Sequence, residues 1–217
     1  MLLLALDTST PAVTVALHDG SAVLAESTVV DARRHGELLA PGIEDVLARA
    51  GAGVADLTDV VVGVGPGPFT GLRVGVVTAR VMGAALGVPV HGVCGLDALA
   101  AAAAVEGAFL VATDARRREV YWARYASPAS RLTDPAVDKP DVVATAHPGV
   151  PVVGQGAVLY PDAFPDARAP ELMSGAALAS LAVARLAAGA VMLAPEPMYL
   201  RRPDAQPQAA RVPASPS

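Results

Sequence analysis

The sequence predicts a mixed α/β protein of two lobes, each a sheet flanked by helices. Three observations predict it. Apolar runs with strand period alternate with runs of helix period; a strand, helix, strand order in the first half requires a crossover onto a parallel part of the sheet; and both halves open with a strand, an Asp-containing turn and a hairpin. With 217 residues, 53% of them hydrophobic, the chain can bury one good core or two smaller ones joined closely. Aromatic residues make up 4%, so Val, Leu and Ala must fill the interior at short distances, which suits layered packing better than a base-stacking surface.

Residues 2–6 are a continuous apolar run, and Asp7-Thr8-Ser9-Thr10-Pro11 supplies turn chemistry after it. Val13, Val15 and Leu17 then alternate as a second strand, Asp19-Gly20 marks a hairpin, and a third strand runs over about 23–30. From His35 the period changes: Leu39, Ile43, Val46, Leu47 and Ala50 share a helical face over about 38–50, with Pro41 in the first turn or bending the helix and Gly51 ending it. A buried strand follows at 60–64, then a loop dense in Gly and Pro, a helix over about 70–86 and a strand at 88–93. An alanine-rich helix near 96–105 closes the first half.

The second half restarts with a strand at 109–113, a turn at 114–118 and a hairpin partner at 120–125. Irregular connection with short strands is expected from 127 to 151, then a strand entering a glycine turn at 152–157. Ser174 is a suitable N-cap for a helix that carries Leu178, Leu181 and Leu186 and stops at Gly189. The resulting division is a first lobe over 1–105, a second over 106–202, and a frayed tail over 203–217 rich in Pro, Gln, Ala and Ser.

The formal charge of −5 works against independent polyanion binding, because that affinity comes mainly from Lys and Arg neutralising phosphates. Arg116-Arg117-Arg118 is the one local basic run, and Glu119 breaks it. Cys94 is the single cysteine, which removes any internal disulfide or multi-cysteine metal site, and its apolar surroundings suit a buried small hydrophobe. The apolar N-terminus is cut short by Asp7 with no basic segment before it, and the alanine-rich stretches are interrupted before membrane-spanning length, so a cytoplasmic protein with no membrane partner is expected.

The most informative segment runs from Gly63 to Gly75 and opens a helix in which Gly71, Gly75, Ala79, Gly83 and Gly87 recur every four residues. Glycine costs about 1 kcal/mol relative to alanine inside a helix, so a column of it calls for close approach by another backbone. The remaining faces carry Leu72, Val76, Val77, Val81, Met82 and Leu86 with only Arg73 and Arg80 charged, more apolar surface than one sheet covers. These features predict a partner surface made by this helix and the preceding one, comprising His35, Leu39, Ile43, Val46, Gly71, Arg73, Gly75, Val76, Ala79, Arg80 and Gly83. On this reading Gly75→Leu abolishes association and leaves a folded monomer.

Catalytic alternatives are thinner. The glycine segment lacks the Gly-Lys-Ser/Thr ending of a phosphate loop and contains two prolines that donate nothing. Asp7 with Thr8, Ser9 and Thr10 either caps a turn or holds a cation near phosphates, and Asp114 occupies the matching place in the second half, so a cleft framed by two carboxylates is one possible vestige of nucleotide chemistry. His18, His35, His91 and His147 are too scattered for a helix-borne metal site, and no Gly-x-Ser-x-Gly elbow accompanies them. His35 reads as a capping or interface residue. No catalytic residue, metal or cofactor is expected.

Several segments resemble the bacterial TsaB (YeaZ) family: Leu4-Ala5-Leu6-Asp7-Thr8-Ser9-Thr10, Arg34-His35-Gly36-Glu37-Leu38-Leu39-Ala40-Pro41, and above all Gly65-Pro66-Gly67-Pro68-Phe69-Thr70-Gly71-Leu72-Arg73-Val74-Gly75. Asp114 to Tyr121 and the late Pro197-Met198-Tyr199-Leu200-Arg201 add to the likeness, which spans about 1–202. The resemblance implies an actin/hexokinase/Hsp70-like (ASKHA) fold and a part in making N6-threonylcarbamoyladenosine at position 37 of tRNAs that read codons beginning with A. It implies a non-catalytic subunit that supports a TsaD-type transferase, meets a TsaE-type ATPase through the complex, reaches tRNA mainly through the complex, and forms a homodimer when TsaD is absent. TsaD-like proteins hold a metal through two histidines four apart on a helix; here His35 is followed by Leu39 at that place. A stand-alone phosphotransferase using Asp7 and Asp114 is the rival reading, and a protease the third.

Overall fold

The computed structural model describes residues 1–201. Its first sheet begins with β1 (Leu3–Asp7), β2 (Ala12–His18) and β3 (Val23–Val30), an antiparallel meander, and continues after α1 (His35–Ala50) with β4 (Asp59–Gly63), α2 (Phe69–Leu86) and β5 (Val90–Val93). The strand order is β3-β2-β1-β4-β5, with β4 parallel to β1 and to β5. The second sheet repeats the plan around β6 (Phe109–Asp114) and β7 (Val120–Ser127), an antiparallel pair, with β10 (Val152–Val153) parallel to β6 and β11 (Ala167–Arg168) parallel to β10. The short strands β8 (Ser130–Arg131) and β9 (Ala136–Asp138) both pair with β7.

Side-chain alternation along the strands divides the core into layers. Leu4 and Leu6 of β1, with Val60 and Val62 of β4, face outward and are covered by Leu39, Ile43 and Val46 of α1 and Leu72, Val76 and Ala79 of α2. Leu3, Ala5 and Val61 face inward, onto a cluster that also holds Phe109, Val111 and Tyr125 of the second sheet. Between the two sheets lie α3 (Gly95–Ala101) and α6 (Gly175–Ala187), through Leu96, Leu99, Leu178, Ala179 and Ala182. On the far face of the second sheet, α4 (Pro140–Ala146) and α5 (Gln155–Leu159) cover Leu110, Ala112 and Val152. The layers therefore alternate helix, sheet, helix, sheet, helix.

Local chemistry accounts for the boundaries. Gly51 and Gly87 end α1 and α2 in the left-handed conformation, at φ 65° and 69°. Ser174 caps α6 by accepting from Ala177 N, as the sequence predicts. Helix α1 starts at His35, earlier than expected, so Pro41 lies inside it on the exposed side, where the missing hydrogen bond faces water. Helices α4 and α5 were not anticipated, because a turn or two of helix in 127–157 has too few residues to show a period. Although α6 follows the second sheet in sequence, Gly175 N donates to Thr14 Oγ1 at 2.7 Å and Ala176 N to Glu26 Oε1, so the second half completes the inner face of the first sheet. The tail expected over 203–217 lies outside the described residues.

Candidate functional site

The glycine segment is explained from within the protomer. A Cβ at Gly63 would lie on the Asp7 carboxylate, one at Gly67 would meet Ser9 O at 2.2 Å, one at Gly71 Thr8 O at 2.6 Å, and one at Gly75 Thr8 Oγ1 at 2.7 Å. The end of β1 thus presses into the loop and the first turns of α2. Thr8 Oγ1 donates to Gly71 O (2.7 Å) and accepts from Gly75 N (2.9 Å), the carbonyl and amide that one helical turn sets against each other. Where a phosphate loop would hold an anion, the backbone of Thr8 and Ser9 is already seated. Lower on the helix, Gly83 makes room for Val90 of β5.

This packing corrects the predicted partner surface. Leu39, Ile43, Val46, Gly71, Gly75, Val76, Ala79 and Gly83 are all buried against the chain's own first sheet. Little or none of their surface is left for a second molecule, and Gly75→Leu would strike Thr8 and Leu6 inside the fold. Helix α2 is long and apolar enough by composition to cross a membrane, and its glycine-bearing side packs on the first sheet. His35 is half-buried and does not cap; its Nε2 donates to Thr10 O at 2.8 Å, fastening the start of α1 to the β1–β2 turn.

Arg73 and Arg80 do point outward, with Val77 between them at 57% exposure and Val81 just beyond Arg80 at 61%. At the N-terminal end of this face the Arg73 guanidinium lies 3.7 Å above the Phe69 ring and donates to Tyr199 OH at 2.8 Å, while Phe69 and Tyr199 stack at 4.8 Å. The strap that carries Tyr199 returns from α6 along the first lobe: Gly92 and Leu193 pair their backbones, and Met198 N donates to Val64 O. A cationic-aromatic cluster followed by two bare valines therefore forms a continuous outer face on α2. The surplus of apolar residues in the sequence signalled this face; the glycine period drew attention to the opposite one. Tyr199 gives no such signal, since its place is set by a contact 126 residues away.

Between the lobes is a cavity of about 230 Å³ lined by Thr8, Ser9, Thr10, His35, Thr113, Asp114 and Arg116 among others. Asp7 does not line it. Its carboxylate is fully buried and accepts from Ser9 N (2.8 Å) and Ser9 Oγ (2.8 and 3.0 Å), and burial pushes its pKa up to about 7 against these hydrogen bonds, which pull the other way. Thr10 Oγ1 accepts from Ala12 N, closing the same turn. The pair of carboxylates expected to frame the cleft is therefore reduced to Asp114, which itself accepts from Arg116 N at 2.9 Å and stands 3.6 Å from the Arg116 guanidinium. Among the described residues no group of three or more His, Cys, Asp or Glu is placed to hold a metal.

Two lobes of mixed sheet, sharing a helical layer and enclosing a cleft, define a protein of the ASKHA class. Residues 23–191 match the family profile described as TsaD, tRNA N6-adenosine threonylcarbamoyltransferase. An uncharacterized protein of Mycobacterium tuberculosis is 47% identical over 210 residues, 95% of this chain and 94% of that protein. The tRNA threonylcarbamoyladenosine biosynthesis protein TsaB of Escherichia coli is 35% identical over 150 residues, 66% of this chain and 64% of that protein. A crystal structure of a Pseudomonas aeruginosa protein described as similar to peptidase YeaZ superposes with a TM-score of 0.79 at 32% identity, covering 92% of this chain and 99% of that one. The chain belongs to the TsaB (YeaZ) family.

Proposed function

We propose that the chain is a non-catalytic subunit of the cytoplasmic complex that forms N6-threonylcarbamoyladenosine at position 37 of tRNAs reading codons beginning with A, and that it supports a TsaD-type transferase by docking on it. The profile match and the likeness to TsaB proteins support the pathway. The outer face of α2 carries the docking reading: Val77 and Val81 stand bare beside Arg73 and Arg80 on a helix whose other side is buried. The interface is thus moved from the glycine column to its opposite side. In the absence of the transferase the same face joins two copies of the chain, and a TsaE-type ATPase is met through the complex.

Val77→Glu/Val81→Glu tests this. Both side chains are solvent-exposed in the protomer, so the variant keeps the wild-type melting temperature within a few degrees, as surface substitutions generally cost less than about 0.5 kcal/mol each. At an apolar interface two added carboxylates lose their hydration even beside Arg73 and Arg80, and association should weaken by about a hundredfold or more. Gel filtration with the transferase should show a complex for the wild-type chain and separate peaks for the variant. Co-elution of the variant at wild-type strength would remove this face as the docking site.

A further inference from the structure

The turn between β6 and β7 is unlike any other in the molecule. Arg116, Arg117 and Arg118 are the only non-glycine residues with positive φ among the described residues, at 59°, 55° and 59°. Each L-residue in that region costs on the order of 1 kcal/mol, so three in succession persist only under restraint. The restraint is visible: Arg116 N donates to Asp114 Oδ1, Ala115 N to Glu119 O, Glu119 N to Arg116 O, and Arg201 of the strap binds both Ala115 O and the Glu119 carboxylate. The result holds three exposed arginine side chains beside the interlobe cavity, of which Arg116 lines it.

Arg33 lines the other lip, from the first lobe, and is exposed. Of the carboxylates beside these arginines, Asp31 is paired with Arg34 at 2.8 Å, Asp114 with Arg116 at 3.6 Å, and Glu119 with Arg201, while Glu171 also lines the cavity. In a chain of net charge −5 this places exposed arginines on both sides of one cleft. A nucleotide held in the cleft is poorly served, because the glycine loop at its base is closed by Ser9 and the cations sit at the mouth. An extended chain of phosphates crossing the mouth from lobe to lobe meets cations on both sides.

We propose that the cleft mouth, through Arg33 on one lobe and the Arg116–Arg118 turn on the other, binds the phosphodiester backbone of RNA, and that the strained turn exists to present these guanidinium groups. The identity of the RNA as the complex's tRNA substrate rests on the partner-subunit reading above. Contact at this surface adds a direct share to the tRNA affinity of the whole complex.

The test uses the full chain assembled with the transferase and ATPase, and an unmodified tRNA transcript titrated between 50 and 200 mM salt. Arg33→Gln/Arg116→Gln/Arg118→Gln should bind about ten- to a hundredfold more weakly and flatten the slope of log affinity against log salt by about 2 to 3, the amount expected for three lost phosphate contacts. Arg33→Lys/Arg116→Lys/Arg118→Lys should keep affinity and slope near wild type, which separates loss of charge from disturbance of the turn. Both variants should co-elute with the transferase. An unchanged slope in the glutamine variant overturns the proposal, as does loss of co-elution with RNA binding intact, which would make these arginines a protein contact. If the wild-type chain itself fails to join the transferase, the partner-subunit reading falls, and the same titration on the chain alone still decides whether this surface binds RNA.

Discussion

A carboxylate with no counter-ion sits at the end of β1, and its surroundings say why it is tolerated. Asp7 occupies the space that Gly63 leaves open and is satisfied by Ser9 alone, so it organises the tight turn that delivers Thr8 to α2. Ionising it there is costly: a pKa raised from 3.8 to about 7 corresponds to a penalty on the order of 4 kcal/mol above neutrality. The sign follows from proton uptake. Between pH 3.8 and 7 the folded chain holds a proton that the unfolded chain releases, so this contribution to stability falls as pH rises through that window and is fully lost above it. Asp7→Asn keeps an acceptor for Ser9 N and removes the titration. Urea unfolding should show the wild type losing about 3 kcal/mol from pH 5 to pH 8 relative to the variant. Parallel pH profiles would show that Asp7 is not the buried proton carrier.

At the scale of elements, the order and type of the long ones were legible because their periods are long enough to read. β1, β2 and β3, the two outer helices, the β6–β7 hairpin and the α6 cap all follow from alternation, glycine stops and a serine N-cap. The faces of α2 were misassigned for a physical reason: small residues at every fourth place report a close approach but not what approaches. Here it is Thr8 and Ser9 of the same chain, a contact made by residues some 60 positions earlier. That assignment can be checked by contrasting two alanine substitutions. Gly67→Ala sets a Cβ against the Ser9 carbonyl, which no rotamer change relieves, and should cost about 3 kcal/mol with loss of several degrees in Tm. Gly36→Ala meets nothing within 4 Å in the first turn of α1 and should be neutral or stabilising by up to about 1 kcal/mol. Equal effects at the two sites would show that β1 does not seat in the glycine loop as described.

The whole molecule is two sheets closed on one helical layer, and neither lobe owns that layer. Asp97 of α3 is its polar fastening: it accepts from Tyr125 OH of β7 at 2.8 Å, from Arg131 of β8 at 2.9 Å and from Arg185 of α6 at 2.9 Å. Burial and the Asp97 charge hold the Tyr125 phenol protonated well above its ordinary range, so the hydroxyl remains a donor at any working pH. Sequence periodicity shows two halves but not this sharing, since Asp97 reads as an ordinary first-turn acid of an alanine-rich helix. The consequence is that the lobes should unfold together. Trp122, the single tryptophan, reports the second sheet, and Cys94, the single cysteine, is buried between the sheets with its thiol pKa pushed up to about 11 by burial. In urea, Trp122 fluorescence and the rate at which a thiol reagent labels Cys94 should trace one transition with one midpoint. Asp97→Ala strands two arginines that are about 30% exposed, so its cost is about 2–3 kcal/mol, below that of breaking a fully buried pair, and it should move both midpoints down by about 1 M without separating them. Labelling of Cys94 at urea concentrations where Trp122 fluorescence is still native would mean that the lobes part before they unfold, and that α3 and α6 form a hinge instead of a shared core.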